Sequence, residues 1–165
     1  MASLEELVTA HGQALFRLAF VLTGSRPAAE DLYQETWMKA QQKWSRVSAA
    51  VSPGPYLKKV MVNIYTSQRR KGSSTEIPMD IHPGASESRP GPDAALADRD
   101  ELWQLVQRLP YAERAAIVLR YYEDLSDQEA AELLGCRAST VRSNTSLNSA
   151  AFRSSAFVGG AFSKR

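Results

Sequence analysis

One stretch near the middle of the chain, residues 73–94 (SSTEIPMDIHPGASESRPGPDA), sets the main limit on the fold. It carries four prolines and few large apolar side chains, so it can neither continue a helix nor supply a core. It reads as a flexible linker, and random-coil scaling gives a chain of this length a reach of roughly 25 Å. The residues on either side must then fold as separate small units. The chain has 165 residues, room for two such units, and 44% of them are apolar, enough for packed cores. On both sides the apolar residues recur at helical spacing, and no alternation of period two is present. The predicted fold is all-α: two small helical domains, 1–72 and 95–153, joined by the flexible linker 73–94 and followed by a disordered tail, 154–165.

The helix boundaries are written in the caps. Ser3 with Glu6 three residues on forms a capping box, and Gly24 supplies a stop. Leu4, Leu7, Val8, Leu15, Leu18 and Leu22 share one face of the helix between them. Ser25 caps a second helix, with Pro27 in its first turn, that runs to about Gln42 and turns Ala29, Leu32, Tyr33, Thr36, Trp37 and Ala40 inward. SRVSAAVSPGP, 45–55, breaks the pattern. A third helix, from about Pro55 to Lys71, buries Leu57, Val60, Met61, Ile64 and Tyr65. Beyond the linker, Asp93 caps a helix carrying Leu96, Trp103, Val106 and Leu109. Another helix spans about Ala112 to Tyr122. Ser126 and Glu129 make a second capping box, for a helix that ends at Gly135, and the last helix begins near Ser139.

Several functional classes are excluded. No apolar run approaches the roughly 20 residues of a membrane span. The start, MASLEELVTAHG, has two acids and no basic region, so it does not read as a secretory signal. Cys136 stands alone and the chain has two histidines, so no internal disulfide, metal site or other cofactor is expected, and a cytoplasmic location follows. No Gly-rich phosphate loop and no nucleophile beside a base are present, so the chain is not expected to be an enzyme. His11 falls within a regular helix and reads as structural or surface. Charge is uneven: 1–72 hold ten Lys/Arg against five Asp/Glu, 73–135 five against thirteen, and 136–165 five against none. Two basic segments around an acidic one suit two contacts with a polyanion, although ordinary surface charge explains the pattern equally well.

Three constellations carry chemistry. A short helix, a turn at Gly135 and a polar helix with Val141 facing inward read as helix-turn-helix. Its second helix offers Ser139, Thr140, Arg142, Ser143, Asn144 and Ser146, side chains that bond phosphates and base edges; Arg142 suits guanine or phosphate. A plain helical hairpin with a solvated face is the alternative. In the second helix, Asp31, Gln34, Glu35 and Met38 share a face; by themselves they read as solvated surface. Trp44, Arg46, Tyr56, Lys58, Lys59, Asn63, Arg69 and Arg70 mix aromatic and basic groups, which suits single-stranded DNA, where bases stack on rings and phosphates meet cations.

Taken in order, these pieces resemble the extracytoplasmic-function sigma factors. HGQALFRLAFVLTGSRPAAEDLYQETWMKAQQKW and PYLKKVMVNIYTSQRRK are similar to the front and end of their region two. LWQLVQRLPYAERAAIVLRYYEDLSDQEAAELLGCRASTVRSNTS is similar to region four, and RYYEDLS to an actinobacterial group. The resemblance implies an alternative sigma factor that binds core RNA polymerase and directs initiation at particular promoters. Asp31, Gln34, Glu35 and Met38 would meet the clamp helices of the largest polymerase subunit. The segment from Trp44 to Asn63 and the basic helix end, with Arg69 and Arg70, would open the minus-ten element. Region four would dock on the second-largest subunit and read the minus-thirty-five element, adding Arg137 to the helix-turn-helix set. Promoter DNA and the polymerase core are the implied partners, with an anti-sigma factor from another chain as a further one. A polymerase-independent regulator, or an interaction module with weakened DNA binding, is the rival. After the recognition helix the family carries an Arg and a Leu-rich turn; here Leu147, Asn148 and Ser149 stand instead. Arg137 replaces a usual capping Ser, and Ser139 is available to cap in its place.

Overall fold

The computed structural model describes the backbone of residues 2–72 and 103–154, and side chains over 2–68 and 103–146. The chain divides into two compact units, one within residues 1–75 and one within 76–165. Among the described residues all regular structure is helical, and no helix is long and apolar enough to cross a membrane. The linker, the tail beyond Ser154, and the predicted Asp93 cap and Leu96 lie outside the described residues.

The first unit holds α1 (Leu4–Thr23), α2 (Arg26–Gln42), α3 (Trp44–Ala49) and α4 (Pro53–Gly72). Ser3 starts α1 as expected: its hydroxyl accepts the Glu6 N–H at 3.2 Å while the Glu6 carboxylate accepts the Ser3 N–H at 2.7 Å. Gly24 ends α1 at φ 78°, a left-handed conformation that glycine adopts without a Cβ clash, and its N–H bonds the Phe20 carbonyl. Leu7, Leu15, Leu18 and Leu22 of α1 are buried with Leu32 of α2 and Leu57, Met61, Ile64 and Tyr65 of α4. At roughly 1.5–3 kcal/mol for each fully buried large apolar side chain, this shared core drives the packing of α1, α2 and α4. Thr36 is fully buried too, and it satisfies its hydroxyl on the Leu32 carbonyl at 2.7 Å. Phe16, Tyr33 and Trp37 continue the contact as edge-to-face rings, with centroids 5.6 and 6.1 Å apart.

Some expectations need correction. The segment after Trp44 is not irregular: α3, six residues long, forms there because the fully buried Val47 pins it against its neighbours. α4 starts at Pro53, two residues early, since a proline in the first helical turn loses no bond. Val8 is exposed, and Leu4, Val60, Tyr33 and Trp37 are only half-buried, so the inward arcs of α1, α2 and α4 are narrower than hydropathy suggests. His11 has a structural place: its ring lies over Gly54, where an added Cβ would stand 3.0 Å from the imidazole Cε1.

The second unit holds α5, described over 103–108, then α6 (Tyr111–Ile117), which widens into a π-turn at Val118–Tyr122, then α7 (Asp127–Leu134) and α8 (Ala138–Ser154). Its core is Val106, Ala115 to Leu119, Ala130, Ala131 and Val141. Arg114 reaches back across the α5–α6 turn and donates to the carbonyls of Val106 (3.2 Å), Gln107 (2.5 Å) and Leu109 (3.2 Å). A helix C-terminus leaves such carbonyls without intrahelical partners, so one guanidinium closes α5. Gly135 joins α7 to α8 at φ 66°. α8 begins at Ala138, so Ser139 lies inside the helix and does not cap it; the Arg137 carbonyl takes the first N–H bonds, from Thr140 and Val141.

Candidate functional site

The acidic stripe of α2 is a surface with shape. Asp31, Gln34, Glu35, Met38, Lys39 and Gln42 line an open depression of about 360 Å³. Met38 is 60% exposed, an apolar side chain on view among polar ones. Glu35 is half-buried, and its carboxylate accepts a bond from the Gln68 amide of α4. Lys39, Gln42 and Gln68 were missed by sequence reasoning. The first two could have been found by carrying the 31, 35, 38 spacing one turn further. Gln68 gives no local signal, because its link to Glu35 exists only once α2 and α4 pack.

The aromatic and basic set falls on α3 and α4, which pack together. Trp44 opens α3 half-buried, and Arg46 is exposed on the same short helix. Along α4, Lys59 and Asn63 are exposed one turn apart, on the side opposite Leu57, Met61 and Ile64. Lys58 and Tyr56 are half-buried, so they border that face and do not stand at its centre. Arg69 and Arg70 continue the backbone of α4, but their side chains lie outside the described residues.

In the second unit, α7, Gly135 and α8 form the expected helix-turn-helix. α7 starts with Ser126, whose hydroxyl accepts the Glu129 N–H at 3.1 Å while Glu129 accepts the Ser126 N–H at 2.7 Å. These bonds, the backbone one foremost and the hydroxyl one second, hold the Glu129 carboxyl below its ordinary value. On α8, Val141 is fully buried and Thr145 nearly so, its hydroxyl bonded to the carbonyls of Val141 (3.0 Å) and Arg142 (3.1 Å). Those two anchors turn the opposite side outward. Ser139, Thr140, Arg142, Ser143 and Ser146 are exposed, with Arg137 just before them, and Asn144 sits half-buried at the border. The side chains of Leu147 and Ser149 lie outside the described residues, although the backbone of α8 continues to Ser154. An exposed row of hydroxyls around one guanidinium is able to bond phosphates and base edges. Among the described residues no group of His, Cys, Asp and Glu is placed to hold a metal ion.

Comparison with known proteins places both units. Residues 7–75 match the family described as Sigma-70 region 2, and residues 99–147 match Sigma-70, region 4. The second match ends at Leu147, within α8. Over 139 residues the chain is 32% identical to the RNA polymerase sigma-E factor of Streptomyces avermitilis, spanning 84% of this chain and 76% of that one. Over 141 residues it is 30% identical to the RNA polymerase sigma factor SigV of Bacillus subtilis, spanning 86% and 83%. A chain in the co-crystal structure of the sigma factor RpoE with the anti-sigma factor NepR from Bartonella quintana is similar at a TM-score of 0.65 and 25% identity, covering 92% of this chain and 95% of that one.

Proposed function

Because the chain belongs to the extracytoplasmic-function sigma factors, we propose that its two units divide one task between them. As an alternative sigma factor it joins core RNA polymerase and directs initiation at its promoters. Sigma factors are transcription regulators, and the chemistry of polymerisation stays with the polymerase. In our reading the α2 depression, with Asp31, Gln34, Glu35 and Met38, takes the clamp helices of the largest subunit. An exposed Met beside the carboxylates of Asp31 and Glu35 suits a basic helix with an apolar centre. Trp44, Arg46, Lys59 and Asn63, bordered by Lys58 and continued by Arg69 and Arg70, take the minus-ten strand. Arg137, Ser139, Thr140, Arg142, Ser143, Asn144 and Ser146 take the minus-thirty-five duplex. An anti-sigma factor from another chain is a further partner, as NepR is for the Bartonella protein.

The observation that carries this reading is the outward polar face of α8, set by Val141 and Thr145 and introduced by α7 and the Gly135 turn. One small helical unit buries little DNA, so two units on a single polymerase gain through effective concentration.

Reconstitution with core polymerase tests the division. Asp31→Lys with Glu35→Lys reverses charge at one contact and should weaken assembly by several kcal/mol. Trp44→Ala or Asn63→Ala should leave assembly intact and reduce the open complex seen by permanganate. Unchanged assembly in the double variant, or a normal bubble in both single variants, would move those roles elsewhere.

A further inference from the structure

The turn that leads into the helix-turn-helix is held by the side chain of Arg120. α6 does not end as an α-helix. Its last residues widen into a π-turn, with the Glu123 N–H on the Val118 carbonyl at 3.0 Å and the Leu125 N–H on the Leu119 carbonyl at 3.1 Å. Asp124 then takes φ 57°, a left-handed conformation unusual for a residue with a side chain. Four residues, 123–126, separate this end from α7. Arg120 spans them: its Nε lies 2.6 Å from the Asp127 carboxylate, and its Nη1 donates to the Leu125 carbonyl. The guanidinium also lies 5.9 Å from the centre of the Tyr121 ring. Arg120 and Asp127 are each about 30% exposed. The planar fork fixes two acceptors at once, which a lysine ammonium on a flexible stem cannot match.

We propose that Arg120 is a positioning residue for promoter recognition: its clasp on Leu125 and Asp127 fixes the direction in which α7, and α8 with it, leaves α6. It therefore sets how strictly the protein measures the spacing between its two promoter elements. The inference rests on reading α8 as the minus-thirty-five reader. Asp127 is the first residue of α7, and α8 packs on α7, so a change of angle at 123–126 is passed to the exposed row of α8 through α7 and strains the packing of α8 on α6. The residue touches no DNA in this account. Its effect is on geometry, so it should show in the dependence on spacing more than in affinity for the element alone.

The test is run-off transcription by the full chain assembled with core polymerase. The template is a promoter that this holoenzyme selects from a random library, rebuilt with its two elements one and two base pairs closer and farther apart. The variants are Arg120→Lys, Arg120→Ala and Asp127→Asn, each checked by thermal melting. Transcript at the best spacing should fall about tenfold in Arg120→Ala, the change that about 1.4 kcal/mol produces. At neighbouring spacings the fall should be smaller, flattening the profile. Arg120→Lys and Asp127→Asn, milder changes, should flatten it in the same sense. A wild-type profile in both of these overturns the proposal. So does a parallel fall at every spacing, which marks a purely structural role. Arg142→Ala separates the two ideas: if it leaves transcription unchanged, the reading of α8 fails, whatever Arg120 does.

Discussion

The two units are stabilised in different ways. The first is built from helices of 20, 17 and 20 residues, and these share a core of large side chains: Leu15, Leu18, Leu22, Leu57, Met61 and Tyr65. The second sets the 17-residue α8 beside two shorter pieces: α6, seven residues before its π-turn, and α7, eight residues, below the length at which an isolated helix is stable in water, about 12–15 residues. Its buried set includes alanines, Ala115, Ala116, Ala130 and Ala131, which bring little apolar area. It adds polar closures: Arg114 across one turn and Arg120 across the next. The first unit rests on apolar packing; the second adds directional bonds at its turns. Hydrophobic packing is insensitive to direction, whereas a guanidinium with two acceptors is not.

The largest effect should come from cutting the first core. Leu18 is fully buried in α1. Leu18→Ala should cost about 2–5 kcal/mol, a large share of the stability of a small domain. Peptide-resolved hydrogen exchange should show amides of α1, α2 and α4 losing protection together, while those of α6 to α8 keep theirs. Loss in both sets would mean that the two units share one stability.

A smaller effect, confined to the other unit, is expected from Arg114→Ala. It removes the donors to three carbonyls at the end of α5. Charge-assisted bonds of this kind are worth roughly 1.5–3 kcal/mol in total where the site is partly screened, as this half-buried one is. Arg114→Lys should recover only part, since an ammonium does not span three acceptors in fixed geometry. Exchange should rise in 103–122 and not in the first unit. Full rescue by lysine would show that charge alone, not the fork, closes the turn.

How much of this was legible in the sequence follows the same division. Ser3, Gly24, Ser25, Ser126 and Gly135 marked helix ends correctly, because capping is a local matter between residues a few positions apart. Leu15, Leu18 and Met61 followed from periodicity. α3 was not legible: a six-residue helix held by Val47 has no periodic pattern to detect, and its cause is a tertiary contact. Ser139 suggested a cap by its residue type, whereas the helix begins one residue earlier, at Ala138. The exposed row of α8 was read from the inward Val141. Arg114, Arg120 and Gln68 were invisible, since each acts across a turn or between helices. The resemblance supplied what no local rule does, namely the partner proposed for each face.

The smallest expected effect sharpens the comparison, because both units open a helix with the same device. Ser3 and Glu6 cap α1, and Ser126 and Glu129 cap α7, with nearly the same distances. α1 is long and packed along its length; α7 has eight residues and buries only Ala130 and Ala131 among them. The cap should therefore be a larger share of what holds α7. Ser126→Ala should raise exchange of amides 127–134 more than Ser3→Ala raises that of 4–11. Acid should act in the same direction on α7. The Glu129 carboxyl is held below its ordinary value in the folded chain, so its contribution is complete above the unfolded carboxyl range, about 4.3, and is lost as pH falls through the lower folded value. Corrected for intrinsic exchange, protection of α7 should be level from neutral pH down to about 4.3 and then decline. Glu129→Gln keeps an acceptor and removes the charge. It should start lower at neutral pH, stay level through that window, and meet the unsubstituted protein in acid. Parallel declines in the two proteins would assign the acid sensitivity of α7 to another carboxylate.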